Sequence, residues 1–518
     1  MNILVGENDA GKSTILEAIH LAVTGLLGGR YLRNELSQHL FNNEVVDSYL
    51  ESVKRGTAKP LPEIMIEIFL FDGAFPELEG NDNSTKEKAT GFYLKVHLDE
   101  VYKAQYAAMI RSGESLQTLP IEYYTVTCQT FARQGISTRA IPIKSALIDS
   151  SAPRYQNGSD VYVSRLVRDF LDSDDVVGIS QAYRRMKEGF RNDSSIAAIN
   201  DKVQKAAKIS SKAVSLSAEL PAKSDWEDSL VTCVQGVPFQ YIGKGEQSLI
   251  KTKLALHQKK AQEAAVILLE EPENHLTHAG LNGLLNHLKT QHAGKQLIVS
   301  THSSFVANKL GLDHLMLLNN GMTVRFAALD PETMQFFQKI AGYDTLRLIL
   351  AKRAILVEGD SDELIVQKAY LISKGKLPIE DGVDVISVGT SFLRFLAVAD
   401  QIKKPVAVVT DNDGNVEALN KKYSAYLSGQ KSYIRVCFDT VVDSGGNIDG
   451  KEYNYNTLEP KLLKLNGCKA LNEIFGTNFD SDDDMRRHMR ANKTACALKV
   501  FETDKSIHFP KYIMDAVA

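Results

Sequence analysis

The chain has a single tryptophan and only five cysteines in 518 residues, and Cys128, Cys233, Cys437, Cys468 and Cys496 are scattered without a C-x-x-C pair. This argues against a disulfide framework and against a thiolate zinc site, and leaves the thiols buried or incidental. No apolar run approaches the roughly 20 residues that span a bilayer, so no membrane association is expected. Nor is there room at the start for a charged leader and a cleavage site, because a glycine-containing loop begins at Gly6; a cytoplasmic location is expected. Neither sign of charge is in marked excess, the net being −4. That value does not decide for or against nucleic acid, since a domain binding both metal and nucleic acid carries acids that cancel its bases. What is abundant, 44% hydrophobic and 24% charged residues, supplies large cores for about two to four domains.

The first motif is Gly6-Glu7-Asn8-Asp9-Ala10-Gly11-Lys12-Ser13, a full G-x-x-x-x-G-K-[ST] match between an apolar Ile3-Leu4-Val5 and Thr14-Ile15-Leu16-Glu17. Strand, phosphate loop and helix follow from that pattern. Glycines let the backbone N–H groups of Gly6, Asn8, Gly11 and Thr14 curl around phosphate oxygens at a helix N-terminus. Lys12 adds a point charge, and Ser13 a hydroxyl for Mg²⁺. Further on, Ile64 to Phe71 and Gly91 to Leu98 read as strands of an antiparallel sheet. From about 160 the spacing becomes helical, with Val163, Leu166, Val167, Phe170 and Leu171, then Ile196, Ile199 and Val203. A helical segment over 160–218 is expected, either packed on its own chain or serving as a dimerisation arm.

Gly243-Lys244-Gly245-Glu246-Gln247-Ser248 is a glycine-containing turn that opens a helix, a weak anion-binding signal by itself. It precedes Val266 to Glu271, a buried strand ending in two carboxylates. One of these can serve Mg²⁺ and the next can orient a water. Gln296 to Ser303 is a second buried strand with a polar tip, whose His302 is equally a satisfied core histidine. Together these stretches resemble the ABC-type ATPase head in its SMC-like branch. The resemblance implies that Glu270 holds Mg²⁺ in place of the usual aspartate, and that Glu271 is the catalytic base and His302 the switch histidine. It further implies that two heads sandwich two ATPs, with Lys244, Gly245 and Gln247 reaching the γ-phosphate of the partner's nucleotide. Members of that family carry strands and adenine contacts ahead of the phosphate loop; with none legible before Gly6, the expectation is either a start further upstream or a rebuilt adenine side.

The second half alternates strand and helix. Ala354 to Val357 delivers Glu358 to a strand end, and Gly359 turns the chain into a helix opening on Asp360, Asp362 and Glu363. An N-cap box accounts for Asp360 and Glu363 but not for Glu358. A second strand, Val383 to Val388, and a third, Pro405 to Thr410, follow, the third running into Asp411-Asn412-Asp413-Gly414. Two acids two apart on an extended segment point the same way, so this is either a metal site or a loop. Carboxylates gathered at the C-terminal edge of a parallel sheet favour Mg²⁺ or Mn²⁺.

E-G-x-x-D followed after about fifty residues by D-x-D looks like the TOPRIM domain. Behind an ABC head it resembles the OLD (overcoming lysogenization defect) family of ATP-dependent nucleases. The fold so implied is α/β, with an ABC-type P-loop head carrying a helical dimerisation insertion and then a Rossmann-like TOPRIM domain. Its divisions are 1–159, 160–218, 219–330, a linker over 331–350, and 351–518. The resemblance implies two divalent ions held by Glu358, Asp362, Asp411, Asp413 and Glu459, and a catalytic lysine at Lys493, with Lys499 a rival. The activity implied is that of an ATP-hydrolysing DNA endonuclease of bacterial anti-phage defence, acting as a homodimer or higher oligomer. A helicase or reverse transcriptase encoded nearby is a candidate partner. Arg486, Arg487 and Arg490 either track phosphates or form a solvated helix end with Asp482 to Asp484. Two other readings compete: a DNA repair clamp in which the TOPRIM fold is scaffold, and a primase or topoisomerase, which an ABC head argues against.

Overall fold

The structure, a computed structural model, describes residues 1–71, 75–112, 116–149, 155–156, 159–160, 171–206, 215–217, 226, 231–257, 259–291, 294–319, 322–325, 329–339, 345–448 and 450–518. They divide into two compact units, one of Met1–Asn2 with Gly11–Thr301 and one of Ile3–Ala10 with His302–Ala518. Strand β1 (Asn2–Gly6) leads into the phosphate loop, and helix α1 (Lys12–Thr24) leaves it. Gly25, at φ 72°, closes α1 by donating its N–H to the Leu21 carbonyl, the left-handed cap that glycine accepts without strain.

In the first unit, β2 (Ile64–Leu70), β3 (Glu79–Gly80), β4 (Ala89–Leu98) and β5 (Tyr124–Thr130) form an antiparallel sheet with β4 paired to all three others. Alternation puts Phe92, Leu94 and Val96 of β4 in a core shared with Leu21 and Ala22 of α1 and with Val46, Tyr49 and Leu50. The strands β6 (Ser145–Asp149), helices α2 (Ser173–Arg191), α3 (Ser194–Ala206) and α4 (Lys244–His257), and strands β7 (Val266–Glu270) and β8 (Gln296–Ser300) follow. Strand β7 lies parallel between β6 and β8, with Glu270 opposite Asp149 on one side and Ser300 on the other. Ile267, Leu268 and Leu269 are all buried, as an apolar run without alternation requires when both faces are covered. Helices α2 and α3 occupy part of the expected helical segment, and Val177, Met186, Phe190 and Ile199 on them are exposed. The expected apolar positions Val163, Leu166, Val167 and Phe170 lie outside the described residues.

In the second unit, α5 (Ser304–Leu310), β9 (Leu315–Asn319), β10 (Met322–Arg325), α6 (Pro331–Lys339) and α7 (Thr345–Leu350) precede a four-stranded sheet. Strand β1 runs parallel to β9, and β10 antiparallel to β9. The sheet contains β11 (Arg353–Val357), then helix α8 (Asp360–Lys374), β12 (Val383–Ser387), helix α9 (Phe392–Gln401), β13 (Val406–Val409) and β14 (Ile434–Cys437). Its order is β12-β11-β13-β14, all parallel. Helices α10 (Leu458–Phe475, broken at Gly467), α11 (Asp482–Ala491), α12 (Lys493–Glu502) and α13 (Lys511–Val517) lie after the sheet. Ile365, Val366 and Ala369 of α8 share one core with Leu462 of α10, Val500 of α12 and Ile513, Ala516 and Val517 of α13. Every sheet strand ends at the same edge, so the residues just after β11 and β13 are delivered to one place.

Candidate functional site

The phosphate loop has the backbone its glycines predict. Gly11 stands at φ 89° as the N-cap of α1, and no acidic residue occupies the first turn of that helix, so no like charge there opposes an anion at its positive end. Lys12 is buried, whereas Asn8, Ser13 and Thr14 are exposed. Ser13 hydrogen-bonds to Glu270 at the tip of β7, and Glu270 is raised above the ordinary carboxylate range. Burial is the main cause; the Ser13 bond opposes it, and the charges of Asp149, Glu17 and Glu271 add to it. A hydroxyl and a carboxylate brought together beside further acids are a donor set suited to Mg²⁺.

Glu271 stands at φ 39°, in the left-handed region, and its side chain accepts a hydrogen bond from Asn274 at 2.7 Å. The turn is tied to β8 by the Glu271 N–H donating to the Ser300 carbonyl at 3.0 Å. Thr301, fully buried, donates to Glu273 at 2.7 Å. In the signature turn, a side chain at Gly245 would meet the His275 carbonyl at 2.4 Å, so only glycine fits. Gln247 is buried and its amide donates to the Ile242 carbonyl at 2.9 Å, bracing that turn. His302 is exposed, which removes the core-histidine reading.

The carboxylates of the parallel sheet gather more closely. Asp362 is pushed up to about 6, first by burial and then by the charges of Glu459 and Glu358, against the Gly359 N–H that donates to its Oδ2 at 3.1 Å. Asp411 is raised well above the carboxylate range by burial, then by Asp362 and Glu459. Glu459 is buried at the start of α10 and pairs with Lys493 at 3.1 Å. Burial alone would lower the Lys493 ammonium, but Glu459, Asp411 and Asp362 together hold it above its ordinary value. Lys499 is elsewhere, donating to the Phe475 carbonyl. Lys493 is therefore the lysine at the acids.

Glu358 and Asp413 are exposed. The expectation of an extended D-x-D segment fails at Asp413, whose φ is 47°. Asn412 causes the turn: buried, it donates to the carbonyls of Asp439 and Val441 at 2.6 and 3.1 Å, and Asp413 swings out to accept from Asn454 at 3.0 Å. Among the described residues, no three His, Cys, Asp or Glu side chains stand close enough to hold a metal ion as placed. The donor set nonetheless fits a hard dication, because it is all carboxylate oxygen, and burial together with neighbouring acids, which raise Asp362 and Asp411, is a penalty that such an ion relieves.

Arginines of α11 are partly neutralised. Arg486 pairs with Asp483 at 2.7 Å and lies over Tyr455, and Arg487 pairs with Asp484 at 2.9 Å. Arg490 is exposed over the Tyr453 ring. Three residues went unnoticed in the sequence. Asp149 sits beside Glu270, Tyr512 donates to Asp411 at 3.3 Å, and Arg347 of α7 pairs with Asp384 at 2.5 Å. Asp149 alone had a signal, an acid ending the apolar Ala146-Leu147-Ile148.

Two family models match the chain. Residues 349–413 match the family described as "Overcoming lysogenization defect protein-like, TOPRIM domain", and residues 1–119 match an AAA domain. No curated protein matches the chain. Among solved structures, the C-terminal region of the Xanthomonas campestris pv. campestris OLD protein is 19% identical over 33% of this chain and 92% of its own, with a TM-score of 0.25. The C-terminal region of the Burkholderia pseudomallei OLD protein is 17% identical over 32% of this chain and 99% of its own, with a TM-score of 0.24. The SmcHead bound to the C-winged helix domain of ScpA is 14% identical over 64% of this chain and 90% of its own, with a TM-score of 0.29. Likenesses this remote carry no residue roles. The chain is an α/β protein with an ATPase region at its N-terminal end and a TOPRIM domain behind it. That TOPRIM domain is of the OLD-like kind, and the pairing of the two supports an ATPase-nuclease that uses nucleotide and divalent metal. Among the described residues, no helix is long and apolar enough to cross a membrane.

Proposed function

We propose that the chain is an ATP-hydrolysing, divalent-metal-dependent DNA endonuclease that nicks or cleaves its substrate, with a role in bacterial anti-phage defence. The observation that carries this is geometric and electrostatic together: Lys493 pairs with Glu459 at 3.1 Å, Glu459 adds to burial in raising Asp362, and Asp362 and Glu459 add to burial in raising Asp411. Glu358, Asp362, Asp411, Asp413 and Glu459 would hold two Mg²⁺ or Mn²⁺ ions, which supply an activated water and neutralise the leaving oxygen. Lys493 neutralises charge that develops on the phosphate. In the ATPase region, Gly6, Asn8, Gly11, Lys12 and Thr14 hold the phosphates, Ser13 and Glu270 hold Mg²⁺, and Glu271 polarises the attacking water. His302, Gly245 and Gln247 act on the nucleotide when heads meet.

The divisions in this reading are two lobes at 1–159 and 219–330, a dimerisation segment at 160–218, a linker at 331–350 and the nuclease at 351–518. The exposed Met186 and Phe190, four residues apart on α2 and so on one face, support the dimerisation role, because an exposed apolar pair on a helix face is suited to a second copy. Nucleotide acts as a regulator of cleavage rather than its energy source. The alternative, a DNA clamp in which the TOPRIM fold is scaffold, draws on one observation, that no three acids converge as placed among the described residues. Asp411→Ala and Asp413→Ala decide between the two. Each should abolish cleavage of plasmid DNA in Mg²⁺ or Mn²⁺ while leaving ATP binding intact; cleavage at the wild-type rate by either removes the two-metal reading.

A further inference from the structure

Asp411 has both carboxylate oxygens engaged by protein donors. Oδ2 accepts the Leu458 N–H at 3.1 Å, and Oδ1 accepts the phenolic O–H of Tyr512 at 3.3 Å. Tyr512 lies in the first turn of α13, a helix held at its other end by Arg353, whose guanidinium donates to the carbonyls of Ala516 and Ala518. A cation there suits the negative end of the helix. Ile513, Ala516 and Val517 bury the rest of α13 in the core that also holds α8 and α10. The phenol is thus presented to Asp411 by a fixed element. The bond is longer than the ~2.7–2.8 Å usual for O–H···O, so it orients the carboxylate without binding it tightly.

We propose that Tyr512 is a positioning residue for Asp411: its O–H and the Leu458 N–H fix the plane of the carboxylate, so that the remaining lone pairs are presented to a divalent cation. This rests on the metal-dependent nuclease reading. A tyrosine at such a cluster has a second conceivable role, as a nucleophile whose phenol oxygen attacks phosphorus and displaces one strand end, forming a phosphotyrosine. The surroundings of Tyr512 oppose it. The residue is 5% exposed, and its oxygen faces a carboxylate, so a phosphodiester has no line of approach to it. Positioning is the role left to it.

Tyr512→Phe removes one O–H and keeps the ring that fills the core. In the full-length protein, Mn²⁺ binding followed by calorimetry or by the free-ion EPR signal should weaken about tenfold, the scale on which partners of metal ligands act. Raising Mn²⁺ should restore cleavage, and the melting temperature in EDTA should be unchanged. Wild-type Mn²⁺ affinity in Tyr512→Phe overturns the proposal. So does an SDS-stable protein–DNA adduct that forms with the wild type and is lost in the variant, since that makes Tyr512 the nucleophile. Asp411→Asn tests the underlying reading separately: it should abolish the same Mn²⁺ binding, and if it binds Mn²⁺ as the wild type does, the metal site is misplaced and the Tyr512 proposal falls with it.

Discussion

Neutralising one acid of the cluster should stabilise the metal-free protein while destroying its activity. Asp362 is the position to test, because its carboxyl goes from an ordinary 3.8 to about 6 in the folded protein. A carboxyl raised on folding is penalised once it ionises, so the penalty is absent below about pH 3.8, builds between there and about pH 6, and is complete above it. At about 1.4 kcal/mol per pH unit the full penalty is about 3 kcal/mol. Asp362→Asn removes the charge and keeps an oxygen to accept the Gly359 N–H. It should therefore recover roughly 1–3 kcal/mol at pH 8, or a rise of about 3–8 °C in the transition that unfolds the TOPRIM core. The assay is thermal unfolding in EDTA followed by circular dichroism, with the variant's advantage shrinking at pH 4.5. Excess Mn²⁺ should reverse the ranking, because only the wild type gains stability by binding it. A variant that melts at or below the wild type in EDTA at pH 8 would refute the claim that burial and the neighbouring acids penalise this carboxylate.

Glu271→Gln keeps the shape and loses the base, so ATP should bind and persist while its hydrolysis falls by a hundredfold or more, on the scale of about 10²–10⁴ for a general base; normal hydrolysis would show that the water is oriented elsewhere. Lys12→Ala should cut DNA at a rate that ATP does not alter, read in one nuclease assay with and without nucleotide, and an unchanged ATP response would place the triphosphate elsewhere. Arg347→Ala should hydrolyse ATP and cleave DNA, yet lose any effect of the first on the second; a variant with the wild-type ATP response would show that Arg347 is no part of the coupling.

The stretches that were legible in the sequence share one form, an apolar run that delivers a polar residue to its end. Val266 to Glu271 and Ala354 to Glu358 read correctly because a buried parallel strand needs no long-range partner to be recognised. Asp411 stands at the strand end where the sequence places it, but the turn at Asp413 was not legible, since it depends on Asn412 reaching carbonyls 27 and 29 residues away. Tyr512 was illegible for the same reason: its bond to Asp411 spans 101 residues, and α13 looks like any short amphipathic helix. The choice between Lys493 and Lys499 could not be made from Lys493-Thr494-Ala495, and depends on which face of α12 meets Glu459. Strand β14 is four residues long and carries Arg435 inside it, too short and mixed a run to be recognised, although Asp439 follows it at the same distance as Asp411 follows β13.

The proposed control of cleavage by nucleotide needs a mechanical path, and the second unit contains one. It includes the first part of the phosphate loop, Ile3–Ala10, together with His302 and the whole TOPRIM domain. A cavity of about 390 Å³ there is lined by Glu7, His302, Leu346, Arg347, Lys352 and Asp384, among others. Helix α5, which follows His302, is tied to α7 by the Thr345 hydroxyl donating to Asn308 at 2.6 Å, both residues fully buried, and by the Leu346 N–H donating to Ser304 at 3.3 Å. From α7, Arg347 makes two bonds to Asp384, at 2.5 and 3.0 Å, and stands 4.0 Å from Glu363. Asp384 is near the starting edge of the sheet, whereas Glu358 and Asp411 follow its strands at the other edge, about 16 Å away for five residues of strand. Packed strands do not stretch, so a displacement at the starting edge moves the sheet as a unit, and an element with a foothold near both edges adds a route that acts on one acid in particular. Helix α8 is that element, since its first turn carries Glu363, facing Arg347, next to Asp362. In the proposed coupling, the group that nucleotide moves is therefore Asp362 rather than Asp411, which Leu458 and Tyr512 hold in place, and the property that changes is affinity for the metal rather than for DNA.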